Sequence, residues 1–95
     1  MVVGIGQITL RLHGCRSLKE KRKVVQAMIR RLQNRYHASV AEVGKNDVYQ
    51  RAEIGFALVA NSGQLVNAVL DKMIDTAEAL QLAEIIDTEI EIIHL

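Results

Sequence analysis

Four segments of the chain alternate apolar and polar residues with a period of two, a pattern typical of half-buried β-strands. In the first segment, Ile8, Leu10 and Leu12 share one side. The four predicted strands cover residues 2–12, 37–44, 48–60 and 86–92. Residues 44–47 (GKND) have turn chemistry, so the second and third strands are predicted to form a hairpin.

Two other segments place apolar residues three and four positions apart, as amphipathic helices do. The first follows a capping box, Ser17-Leu18-Lys19-Glu20, and is predicted to run from about residue 18 to 35. Its inward residues are Val25, Met28, Ile29, Leu32 and Tyr36. The second helix follows Asn61-Ser62-Gly63, and its apolar residues are Leu65, Val66, Val69, Leu70, Met73, Ala77 and Leu80.

The resulting order of elements, β-α-β-β-α-β, predicts an α+β fold of the ferredoxin-like kind. Two right-handed crossovers give a four-stranded antiparallel sheet with both helices on one face, in one domain spanning residues 1–95. For residues 38–43 the sequence does not decide which side chains face the helices, because Val40 and Val43 cannot both do so without a bulge. The residues expected to face the helices are Ile8, Leu10, Ile54, Phe56, Leu58, Ile90 and Ile92.

The formal net charge of +1 hides a strong asymmetry along the chain. Residues 1–40 hold nine Lys/Arg and one acid, whereas residues 41–95 hold three Lys/Arg and ten acids. Such a dipolar molecule can steer an anionic partner to one face.

Most of the positive charge lies on the first helix, where Lys19, Lys23, Gln26 and Arg30 form one continuous exposed ridge. Lys21 and Arg35 are predicted nearer the boundaries of this exposed face. Cations at this spacing can contact successive phosphates. Two alternatives stay open: a merely solvated face, or a surface for an acidic protein partner. A solvated face, however, needs neither a single sign of charge nor Lys19–Lys23 repulsion. The predicted nucleic-acid-binding residues are Arg16, Lys19, Arg22, Lys23, Arg30 and Arg31.

The sheet face opposite the helices carries an apolar cluster at one end. A homodimer partner is one candidate to cover it, and an ordinary scatter of exposed apolar residues is the alternative. Base stacking in the manner of an RNA-recognition motif is not predicted, because the central strands carry no aromatic residue on this face and Tyr49 lies at a strand end. The predicted dimer residues are Val3, Ile5, Ala57, Val59 and Ile93.

Catalytic and metal-binding candidates are few. Cys15 precedes the first helix but has no His–acid companion in sequence, and the three histidines lack metal-ligand spacing. We therefore predict no enzyme, metal, cofactor or small-molecule substrate. A single cysteine, no apolar run long enough for a membrane span and a strand-like N-terminus predict a cytoplasmic protein.

Three runs, SLKEKRKVV, RLQNRYHASVAEVG and DVYQRAEIGFALVAN, resemble the YlxP-like family, a small bacterial family of unknown function. Tyr49 stands where members often carry Trp. The resemblance implies a ferredoxin-like fold and, because such genes often neighbour translation-initiation and ribosome-maturation genes, a role near RNA or the ribosome. It supplies no catalytic residues.

These observations predict a non-enzymatic protein that binds RNA or the ribosome through phosphates. The alternative is a protein-interaction module, such as a homodimer through the open face or an edge of the sheet. A small enzyme that uses Cys15 or carboxylates is the third hypothesis.

Overall fold

The computed structural model describes residues 1–95 and contains four strands and two helices. Their order along the chain is β-α-β-β-α-β. The elements are β1 Val2–Arg11, α1 Leu18–Tyr36, β2 Ser39–Gly44, β3 Arg51–Ala60, α2 Gly63–Ala79 and β4 Glu84–His94.

The strands form one antiparallel sheet in the order β2-β3-β1-β4. β1 is central and pairs with β3 along its whole length, from Val2 opposite Ala60 to Arg11 opposite Arg51. Both helices pack on one face of this sheet, so the predicted ferredoxin-like α+β fold is confirmed.

The core lies between this face and the helices. Ile8, Leu10, Ile54 and Phe56 are buried there, as the alternation predicts. Leu58 and Ile92 are partly buried against the same core. Ile90 lies opposite Gly6 and so is on the predicted face, but it is 39% exposed. It lies on the edge strand β4, which has a neighbour on one side only.

Two glycines in β1 allow unusually close packing. A Cβ at Gly4 would clash with the Val66 side chain of α2, and one at Gly6 would clash with the Phe56 ring. The glycines therefore leave room for a helix and an aromatic ring to lie directly over the central strand.

A bulge between Glu42 and Gly44 settles the direction of the β2 side chains. Val40 is buried, whereas Val43 is 53% exposed and contacts Gly55 on the open face. β3 begins at Arg51, three residues later than predicted.

Leu65 was predicted to face the core and is 52% exposed, because the α2 stripe passes through Val66, Leu70, Met73 and Ala77 instead.

Candidate polyanion-binding surface

The N-terminus of α1 has the predicted serine cap, but Glu20 reaches back to the amide of Arg16 instead of that of Ser17. Ser17 is the N-cap and its Oγ accepts from the Glu20 amide at 3.2 Å, while Glu20 Oε2 accepts from the Arg16 amide at 2.7 Å. Glu20 is the only acid of the helix. Because its carboxylate is held at the cap, it forms no ion pair with the cations further along α1.

Four cations of α1 lie side by side on its solvent face, and we call them the α1 ridge: Lys19, Arg22, Lys23 and Arg30. Together with Gln26 and Ala27 they line a shallow open depression of about 640 Å³. None of the four forms a salt bridge. Unpaired cations at helical spacing keep a positive potential that any approaching polyanion meets directly.

The other two predicted contact residues lie apart from the ridge. Arg16 is exposed in the loop before α1. Arg31 lies on the opposite flank, where it lines a groove with Arg35, with Thr76 of α2 and with Leu80, the C-cap of that helix. Four of the six predicted residues therefore form one surface, and two lie outside it.

Lys21, in the same basic run, is buried rather than near the boundary of the exposed face. Its side chain is 1% exposed. The ammonium donates to the carbonyl oxygens of Lys45 at 2.5 Å and Val48 at 2.8 Å. Glu42 Oε2 lies 2.9 Å from Nζ and forms an ion pair with it. Burial of an ammonium is tolerated only with such partners.

The position of Lys21 was recognisable in the sequence. It precedes Val25 by four residues and therefore lies on the apolar stripe of α1, where a lysine needs buried partners. Its hydrogen bonds also explain the late start of β3. The carbonyls of residues 45 and 48 point at the ammonium, so residues 45–50 form a turn instead of continuing the hairpin ladder.

The C-terminal half of α1 is fixed against α2 by Tyr36. Its hydroxyl donates to the Lys72 carbonyl at 3.1 Å and lies 2.6 Å from Thr76 Oγ1. The Arg35 guanidinium lies 5.6 Å from the Tyr36 ring centroid. These contacts, with the cap at Ser17, hold both ends of the helix that carries the ridge.

The open sheet face brings the five predicted dimer residues together in two cross-strand rows. Val3 lies between Val59 and Ile93, and Ile5 is opposite Ala57. Val59 is 64% exposed. Sequence reasoning missed Val43, which joins Ile5 and Ala57 around a depression of about 330 Å³ after the bulge turns it outward.

At the other end of this face, Glu84 accepts a hydrogen bond from His13 Nε2 at 3.1 Å and lies 3.9 Å from Arg11 Nη1. The hydrogen bond to His13, more than the nearby charge of Arg11, lowers the pKa of Glu84 below its usual range.

Cys15 is half-buried against the core. No three His, Cys, Asp or Glu side chains are grouped closely enough to hold a metal ion. Neither helix is both long and apolar enough to cross a membrane.

Comparison with solved structures defines the class of protein. The structural-genomics protein YJCS superposes with a TM-score of 0.56 at 8% identity, covering 97% of this chain and 99% of its own. The de novo designed ferredoxin-fold protein LFR1 1 gives a TM-score of 0.51 at 11% identity over 98% of this chain and 83% of its own. At these identities the likeness shows the ferredoxin-like fold alone.

Within that class, residues 3–90 match the family model described as "Protein of unknown function (DUF503)", and the chain belongs to this family. The "Uncharacterized protein YlxP" of Bacillus subtilis (strain 168) is 34% identical over 61 residues, which make up 64% of this chain. The matched segment spans 66% of the length of that relative, just under two thirds. The resemblance stated from the sequence is confirmed.

Proposed function

We propose that this protein is a non-enzymatic, cytoplasmic RNA-binding protein that contacts RNA or the ribosome through the α1 ridge. The observation that carries the proposal is that Lys19, Arg22, Lys23 and Arg30 share one exposed surface without a single salt bridge. The family resemblance, with its implied association with ribosomal genes, points in the same direction.

The geometry of the ridge suits a phosphate backbone better than base edges. From Lys19 to Arg30 the helix rises about 16 Å, so its cations can meet several phosphates in succession. No aromatic residue lies on β1 or β3 at the open face to stack bases. Binding is therefore expected to depend little on sequence and strongly on salt.

The test is a titration of the protein against a labelled ribosomal RNA fragment at several salt concentrations. With four phosphate contacts, the logarithm of the association constant falls with the logarithm of salt with a slope of about −3. Lys19→Glu/Lys23→Glu abolishes this binding without altering the circular dichroism spectrum, because both side chains are exposed.

The matched control is Lys45→Glu/Lys72→Glu, which changes the net charge equally at exposed lysines outside the ridge. It retains most of the affinity if the ridge is the binding surface. Equal losses in the two double variants, or binding that is absent or insensitive to salt, would refute the proposal.

A second candidate function is homodimerisation through the open face. The exposed rows around Val3 and Ile5 favour it, because apolar side chains from three neighbouring strands meet there. Sedimentation over a range of concentrations is then expected to show a dimer, and Ile5→Asp converts it to a monomer. A protein that is monomeric throughout contradicts this candidate and leaves the RNA proposal untouched.

A further inference from the structure

Arg51, at the start of β3, has a guanidinium nitrogen that its surroundings leave unpaired. Nη1 is buried and has no hydrogen-bond partner in the protein. A buried N–H without an acceptor costs about 1–3 kcal/mol, and more when the group is charged. An unpaired group of this kind calls for a specific explanation.

A second arginine lies directly beside it. Arg11 is the cross-strand partner of Arg51 on β1, and the two point to the same face of the sheet. Like charges in directly opposite positions are unfavourable. Two neighbouring guanidinium groups are therefore stable together when an anion lies between them.

The nearby carboxylates neutralise this pair only in part, because Glu84 pairs with Arg11 and only its charge acts on Arg51. Glu84 accepts from His13 at 3.1 Å, is 3.9 Å from Arg11, and forms no salt bridge with Arg51. Glu53 follows Arg51 by two residues on the same face, but its Oε2 accepts from Gln7 Nε2 at 3.4 Å.

Both arginines line a depression of about 440 Å³ at this end of the sheet. Its walls are His13 and Gly14, after β1, and Gln50, before β3. The hydrogen bond from the Leu12 amide to the Gln50 carbonyl, 2.9 Å long, holds the two walls together. Gly14 has φ +83° and a Cβ there would meet nothing within 4 Å, so the rim is open.

We propose that this depression binds a single phosphoryl oxyanion, held by Arg51 Nη1 and the Arg11 guanidinium. Planar guanidinium groups match the spacing of phosphate oxygens and donate charge-assisted hydrogen bonds to them. This site is separate from the α1 ridge, and it recognises one phosphate instead of a backbone. Free inorganic phosphate and the terminal phosphate of a nucleotide are two sources of the same group.

The experiment follows the backbone amide resonances of Gly14 and Gln50 while inorganic phosphate or adenosine 5′-monophosphate is added at constant ionic strength. In the unmodified protein both resonances shift and saturate. Equal affinities for the two ligands indicate free phosphate, and tighter binding of the nucleotide indicates a phosphomonoester. Arg51→Met and Arg11→Met each weaken binding by about tenfold or more, as expected for loss of one charged hydrogen-bond donor.

The control is Lys19→Glu/Lys23→Glu, which retains phosphate affinity because it changes the ridge alone; this outcome also separates the site from the RNA proposal. In phosphate-free buffer, Arg51→Met unfolds at an equal or higher urea concentration. Absence of saturable binding, undiminished binding in both arginine variants, or clear destabilisation by Arg51→Met alone would overturn the site. If Arg51→Met fails to fold, Arg51 has a structural partner and the proposal is also wrong.

Discussion

The two helices occupy equivalent places in the duplicated β-α-β arrangement but differ in charge. Each begins with a serine N-cap whose Oγ accepts from the amide three residues on, at 3.2 Å for Ser17 and 3.3 Å for Ser62. α1 carries seven Lys/Arg and one acid, whereas α2 carries one lysine and three acids.

The comparison separates what the fold requires from what it leaves free. α2 covers its part of the sheet with a polar face of mostly negative charge, so packing on the sheet does not demand cations. The single sign of the α1 ridge therefore has no structural cause in the helix itself. This difference supports the proposed contact with phosphates.

The largest loss of stability should come from substitution of Lys21, the one cation of α1 that is buried and paired in the fold. Lys21→Met leaves Glu42 without its partner in a largely buried place, and we expect a loss of about 3–5 kcal/mol in the free energy of unfolding. Urea denaturation measures it. Lys72→Met, at an exposed lysine of α2, is the matched control and should change stability by less than about 0.5 kcal/mol. Similar small effects in the two variants would show that the buried ion pair contributes little.

Adding cations to α2 tests whether helical spacing alone creates a phosphate-binding surface. Asp71 and Asp75 are exposed, four residues apart and free of salt bridges. Asp71→Lys/Asp75→Lys should raise RNA affinity and steepen the salt slope by about 1.5. The same titration measures both. An unchanged slope would mean that position on the molecule, not charge spacing, governs binding.

Removal of the two N-cap side chains should lower the stability by modestly different amounts. Ser62→Ala removes one hydrogen bond, and Ser17→Ala removes one and also disturbs the reciprocal contact of Glu20. We expect losses of about 1 kcal/mol at each cap, with Ser17→Ala the larger. Thermal unfolding followed by circular dichroism checks this ranking, and a larger loss at Ser62 would contradict it.

The smallest effect concerns Glu84, whose pKa is lowered chiefly by the hydrogen bond from His13. The folded-state pKa lies below the unfolded one. The ionised Glu84 carboxylate therefore stabilises the folded protein in full above the unfolded pKa of about 4.3. This stabilisation is lost as pH falls through the folded pKa. The stability difference from Glu84→Gln should therefore shrink on acidification, and a difference that is independent of pH would contradict the assignment.

Much of the fold could be predicted because the period of the apolar residues changes clearly between strands and helices. The serine cap of α1 at Ser17 and the inward position of Ile54 could be predicted because each depends only on neighbouring residues. The exposed position of Ile90 depends on which strand lies at the edge, and that is set by distant pairings. The direction of Val43 depends on a bulge that no local pattern specifies.

The candidate site was predictable in part. The ridge follows from helical spacing, so Lys19, Lys23 and Arg30 were found. The depression at Arg51 was missed because its walls come from two separate segments of the chain that only the folded sheet brings together. Lys21 was misplaced because a basic run suggests solvent, whereas its four-residue spacing from Val25 indicated the core.

Burial of Lys21 also gives the protein an internal chemical marker of its folded state. Amine-reactive reagents reach Lys19 and Lys23 on the native surface, whereas Lys21, between them in sequence, is only 1% exposed. Labelling of Lys21 therefore requires the contact between α1 and the β2–β3 turn to open. Peptide mass spectrometry of one short labelled segment can thus report, without any substitution in the protein, how often this part of the molecule unfolds.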